Sequence, residues 1–275
     1  MHNNRIPDTI QIIFNEEKNY IIISNPKIAT TFISNYIDDK FINVEINNDG
    51  NLELPNNIKS NLSICWESLD TDKSRPQIII LYREPYDRFL TAVIQDCIFE
   101  RFSLHSVNDS YNNLSNPFLH YFFRNKGYDT STYLNFLGNI GNYIDDLKFS
   151  QMYIDYFEAY LNCIIDNNRV MTGHNCSYLT IISKLLLLGK LKSTDIFINI
   201  SNKNEPIERK LKLKKIYPAD TYDRSYKSDL IHSNVEFKNI LNQVINSNDY
   251  LKDSIMNILS TEMTTYNIFK NDNLI

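Results

Sequence analysis

Two short stretches of this chain carry residue types suited to holding an anion. In Pro26-Lys27-Ile28-Ala29-Thr30-Thr31-Phe32 a lysine is followed by two hydroxyl side chains. In Arg83-Glu84-Pro85-Tyr86-Asp87-Arg88 two arginines precede a further hydroxyl, Thr91. Ammonium, guanidinium and hydroxyl groups hold phosphate oxygens by charge and hydrogen bonding, and arginine does so with a planar fork. The chemistry to which these residues point is the grip and charge stabilisation of a phosphate-bearing ligand. Each stretch also has an ordinary structural explanation. Thr30 and Thr31 can cap a helix, and Arg88 can pair with Glu84 or Asp87 on a helix surface.

Each stretch lies between a run that reads as a buried strand and one that reads as a helix. Tyr20-Ile21-Ile22-Ile23 and Gln77–Tyr82 are continuous and apolar, as in strands covered on both faces. Ile28–Tyr36 has helical spacing, and Tyr86–Phe102 continues from Pro85, which suits the first helical position. Such a turn aims backbone N–H groups and the positive end of a helix at one point. Lys27 precedes Thr30 by three residues and no glycine is present, so the turn departs from a Walker A loop and disfavours an ordinary P-loop kinase.

Around these motifs, Thr9–Phe14 and Asn19–Ser24 read as strands that can form a hairpin, Phe41–Ile46 as another strand, and Asp195–Ile200 as the last. Helical patterns cover Thr130–Leu147, Gln151–Ile165, Ser177–Leu188, Asn234–Ile245 and Tyr250–Phe269. Lys203–Asp220, with its basic run Arg209–Lys215, reads as a loop or lid, or as a solvated face. The expected fold is α/β and P-loop-like. A mainly parallel central sheet is flanked by helices, the C-terminal half is helical, and one domain covers 1–275. A ligand of such a sheet sits outside the carboxyl ends of its strands, where both anion motifs fall.

Composition narrows the partners. The net charge of −5 argues against nucleic acid. No run approaches the roughly 20 apolar residues of a membrane span. Cys65, Cys97, Cys163 and Cys176 have no C-x-x-C spacing, which excludes a zinc ribbon and suits reduced thiols in the cytoplasm. No clustered histidines suggest a metal.

The order P-K-x-[GA]-[ST]-T-[WF], fitted by Pro26–Phe32, is similar to the 5′-phosphosulfate loop of sulfotransferases. These enzymes use 3′-phosphoadenosine 5′-phosphosulfate (PAPS) as donor and release PAP. Ile78–Val93 resembles their 3′-phosphate motif, R-[DE]-P-[YF]-[DE]-R-[LF]-[LV]-S-A, with Thr91 in place of serine, and looks most like the carbohydrate-modifying branch. Thr132–Leu137, Thr172-Gly173-His174 and Glu262–Phe269 are looser echoes, and Asn175–Tyr178 departs from the family pattern after His174.

The resemblance implies that Lys27, Ala29, Thr30 and Thr31 hold the 5′ side of the donor, that Phe32 lies against its adenine, and that Arg83 and Thr91 hold its 3′-phosphate, while Arg88 braces the fold. Lys27 would also neutralise the leaving oxygen. The acceptor would be a hydroxyl of a carbohydrate or small molecule, activated by a base. Glu45 leads for that role, followed by Glu67 and His174, since Ile33–Tyr82 contains no histidine. Two rival readings remain: a small-molecule kinase, and a PAP-binding interaction protein on a decayed sulfotransferase scaffold.

Overall fold

A computed structural model describes residues 9–15, 19–25, 41–54, 61–67, 69, 75–94, 127, 129, 131, 147–166, 178–200 and 236–271. They form strands β1 (Thr9–Asn15), β2 (Tyr20–Ser24), β3 (Ile42–Ile46), β4 (Leu52–Glu53), β5 (Gln77–Tyr82) and β6 (Ile196–Asn199). The helices are α1 (Asn61–Glu67), α2 (Pro85–Ile94), α3 (Leu147–Asp166), α4 (Tyr178–Leu187), α5 (236–246) and α6 (Asp249–Asn271). The chain divides into two compact units. One comprises Met1–Arg88, Gly173–Thr221 and Ser260–Ile275; the other comprises Phe89–Thr172 and Tyr222–Leu259.

The first unit holds a six-stranded sheet in the order β4-β3-β1-β2-β5-β6. β2, β5 and β6 are parallel neighbours, whereas β1 is antiparallel to both β2 and β3, and β4 is antiparallel to β3. The fold is therefore α/β, but the sheet is mixed where the sequence led us to expect a mainly parallel one. The reason lies in the connections. A parallel crossover needs about a dozen residues or more, whereas a short link can only return antiparallel. Few residues separate β1 from β2, or β3 from β4. In the second case Asn47 builds the turn: its Oδ1 accepts from Asp49 N and Asn51 N, each at 3.0 Å. Gly50 takes φ 77° there, and a Cβ on it would lie 2.8 Å from Leu188 Cδ1, so both backbone and space require glycine.

Isoleucine fills the middle of this sheet. Ile21↔Ile78, Ile22↔Ile79 and Ile23↔Ile80 are in register between β2 and β5. Ile21–Ser24 and Ile78–Tyr82 are buried at every position, so both faces of these strands are covered. β3 instead alternates, with Val44 and Ile46 buried and Asn43 and Glu45 exposed. Helix α1, which the sequence patterns did not suggest, inserts Leu62 and Trp66 into the same core, and Trp66 Nε1 donates to Gly50 O at 2.9 Å. Arg75, just before β5, grips Asp195, just before β6, through Nη1–Oδ1 at 2.5 Å and Nη2–Oδ2 at 2.9 Å.

The second unit has an aromatic core. Tyr153, Tyr156, Phe157 and Tyr160 of α3 are buried, as is Phe237 of α5. The Phe237 ring lies 5.2 Å from that of Tyr153 and 6.4 Å from that of Phe157.

Candidate functional site

The strand directions bring the second motif next to the chain that leads into the first. In the register Ile23↔Ile80, Asn25 stands level with Tyr82, one residue before Arg83. Adjacent strands are about 4.8 Å apart. The exits of β2 and β5 thus lie side by side at one end of the sheet. Ser24 and Asn25 are fully buried there. Lys27, Ala29, Thr30, Thr31 and Phe32, and the helix expected over Ile28–Tyr36, lie outside the described residues. So do His174, the Thr132–Leu137 echo and the lid over Lys203–Asp220.

The helix after Arg83 begins where Pro85 places it. Glu84 caps it. One carboxylate oxygen accepts from Tyr86 N at 3.0 Å and the other from Asp87 N at 2.6 Å, while Arg88 N donates to the Glu84 carbonyl at 3.0 Å. These amides and the positive helix end are thereby already engaged by a carboxylate. A phosphate at this helix would be held by side chains rather than by those two amides. The Glu84 charge, after burial, also helps raise the Tyr86 hydroxyl above the ordinary tyrosine range.

Arg83 is the first such side chain. Its Nε and Nη2 both meet Asp87 Oδ2, at 2.6 and 2.5 Å. The pair is partly open, with side-chain exposures of 19% and 37%. The surface pairing expected for Arg88 is therefore made by Arg83. Thr91, the other residue expected at the 3′-phosphate, lies further along α2 and is partly buried.

Arg88 does something different. It is buried, and its Nη2 donates to Glu262 Oε2 of α6 at 2.8 Å. The second Glu262 oxygen accepts from Leu179 N, in the first turn of α4, at 2.7 Å. One carboxylate thus neutralises a buried guanidinium and satisfies an amide that α4 leaves without an intrahelical acceptor. The residue before Leu179, Tyr178, donates its hydroxyl to Ile23 O at the end of β2, at 3.2 Å. Arg88 thus braces the fold, with a partner other than Glu84 or Asp87.

Glu45 sits near the carboxyl end of β3, which runs in the same direction as β2 because both are antiparallel to β1. It is exposed, and its Cα partners are Thr9 on β1 and Glu53 on β4. The topology therefore sets Glu45 at the same end of the sheet as Arg83, on a strand separated from β2 by β1. Glu67 is on α1, where it accepts from Ser63 Oγ one turn earlier at 3.2 Å. Nothing in the described residues brings it to the exits of β2 and β5.

A buried phenolic cluster at this sheet end was not legible as a unit. Asn199 Nδ2 donates to Tyr266 Oη at 3.1 Å, and the Tyr82 and Tyr266 rings lie 6.1 Å apart. Burial pushes the Tyr82 hydroxyl far above the usual range; Tyr266 adds to the shift and Asn199 opposes it. Glu262 and Tyr266 share one face of a helix at four-residue spacing, which the sequence displayed. Their partners, far away in the chain, it did not.

No group of three or more potential metal-ligating side chains occurs among the described residues, and no described helix is long and apolar enough to cross a membrane. No protein-family model, curated protein or solved structure matches the chain.

Proposed function

We propose that the chain is a sulfotransferase with a P-loop-like nucleotide site, acting in the cytoplasm on a hydroxyl of a carbohydrate or small molecule. What supports this most is the shared exit of β2 and β5. β2, which ends three residues before Lys27 in the sequence, and β5, which ends one residue before Arg83, are adjacent parallel strands whose carboxyl ends are level. One doubly phosphorylated nucleotide bound across these strand ends would account for both motifs at once. Arg83 and Thr91 would hold its 3′-phosphate, Lys27, Ala29, Thr30 and Thr31 its 5′ side, and Phe32 would lie against the adenine.

PAPS, when bound, supplies the sulfuryl group. The acceptor oxygen forms the new S–O bond as the bond from sulfur to the bridging oxygen breaks, and the electron pair leaves with PAP. Lys27 stabilises the charge arriving on that oxygen. The acceptor proton passes to a base, with Glu45 first in order because of its sheet end, then His174. The residues named here supply positioning and charge, without a metal.

Calorimetry with PAP and ADP, followed by a transfer assay on Lys27→Ala, tests the reading. PAP should bind far more tightly than ADP. Lys27→Ala should lose about 10²–10³-fold in transfer while losing less in PAP affinity, as for removal of a group that acts on developing charge. Equal affinity for both nucleotides would move the assignment to the kinase reading. PAP binding without transfer by the wild type would leave a PAP-binding protein on the same scaffold.

A further inference from the structure

The second motif contains a carboxylate for which the proposed phosphate grip has no use. We propose that Asp87 competes with the 3′-phosphate for Arg83 and thereby sets how fast PAP leaves; the inference rests on the sulfotransferase reading. Two donors on one edge of the guanidinium, Nε and Nη2, converge on the same Asp87 oxygen. That is the edge with which an arginine grips an oxyanion.

Unlike the Arg88–Glu262 pair, at 3% exposure on each side, this pair lies where solvent and a ligand can reach it. Asp87 is also held through its backbone, since its N–H donates to Glu84 Oε2. Its side chain can therefore leave and regain the guanidinium while the helix turn stays in place. A phosphate dianion exceeds a single carboxylate in charge and in acceptor oxygens, so it displaces or shares Asp87. The carboxylate that remains nearby repels it, and this repulsion opposes the attraction of Arg83.

Such a counterweight has a use in this reaction. Donor and product carry the same 3′-phosphate, so the Arg83 grip stabilises PAPS and PAP alike. Uniform binding of this kind does not speed the chemical step, and a grip that is too strong slows release of product. An acid that weakens the grip at both stages costs little before transfer and speeds turnover after it.

The experiment compares wild type, Asp87→Asn and Asp87→Ala, using PAP and adenosine 5′-phosphate, which lacks the 3′-phosphate. Thermal melts check that all three fold. Both variants should bind PAP about 5- to 20-fold more tightly, as expected on removing one nearby charge from a partly exposed site. The gain should come from slower dissociation and shrink in high salt. Affinity for adenosine 5′-phosphate should stay unchanged, and in the transfer assay kcat and KM should fall together. If the wild type binds PAP and both variants bind it equally or more weakly, Asp87 serves only to orient Arg83. The inference then fails while the sulfotransferase reading stands. If none of the three proteins binds PAP, both fall.

Discussion

Arg83 and Arg88 belong to one six-residue motif, yet the structure gives them opposite surroundings. Arg83 pairs with Asp87, four residues away and partly open to solvent. Arg88 pairs with Glu262, 174 residues away, with both side chains almost wholly buried. A local, solvated pair contributes little to stability and exchanges partners readily. A buried pair contributes most through what happens when half of it is removed, because the other charge is left without a partner. The contrast separates a residue paired locally and partly open to solvent from one committed to the buried fold, within a motif that looks uniform in sequence.

The contrast can be broken experimentally, beginning with the buried pair. Arg88→Ala should destabilise the protein by about 3–5 kcal/mol, the usual consequence of leaving a buried charge unpaired. Denaturant unfolding measures this, and a loss below about 1 kcal/mol, the range of exposed pairs, would erase the distinction. Arg83→Ala should do the reverse. Its stability should change by less than about 1 kcal/mol, while PAP affinity should fall by about 1.5–3 kcal/mol, the range for hydrogen bonds to a charged group. Calorimetry beside a melt gives both numbers from one preparation.

A smaller effect concerns pH. Tyr82 is raised in the folded protein above its ordinary value of 10.0, chiefly by burial. The unfolded chain releases this proton first as pH rises. The stabilising contribution is thus complete below pH 10 and declines above it, as the folded state retains a proton that the unfolded state has lost. Tyr82→Phe should flatten that alkaline decline, and urea melts between neutral and strongly alkaline pH would show it. An unaltered slope would mean that Tyr82 ionises alike in both states.

What could be read from the sequence was local. The strands Gln77–Tyr82 and Ile196–Asn199 fall within the apolar runs that suggested them, and α2 starts at Pro85. Proline at the first helical position and unbroken isoleucine runs act through their immediate neighbours, so short windows reveal them. Partner choice across the chain does not work in that way. The β1–β2 hairpin could be read from the short link between its runs, but the antiparallel pairing of β1 with β3, reached from β2 through residues 25–41, could not. Helix α1 is a short element of seven residues whose anchor, Trp66, bonds to a distant glycine carbonyl. Glu262 could be noticed beside Tyr266, but its hold on both Arg88 and Leu179 N needed three helices in place. The candidate site divided along the same line. The cap of α2 by Glu84 and the closeness of Asp87 to Arg83 are short-range, whereas the shared exit of β2 and β5 depends on pairing between strands far apart in the chain.

The position of β5 has a consequence for how the protein is made. Its partner β6 is synthesised more than a hundred residues later, in the register Ile79↔Ile196. Until then one flank of the run Gln77–Tyr82, uncharged and rich in isoleucine, has no native strand to cover it on the ribosome. Pairing over such sequence distances is slow, and an uncovered strand of this composition is prone to self-association. Nascent chains that stop short of Ile196 should therefore be the ones that aggregate, and expression of this protein should benefit from slow synthesis and from chaperones that shield apolar strands.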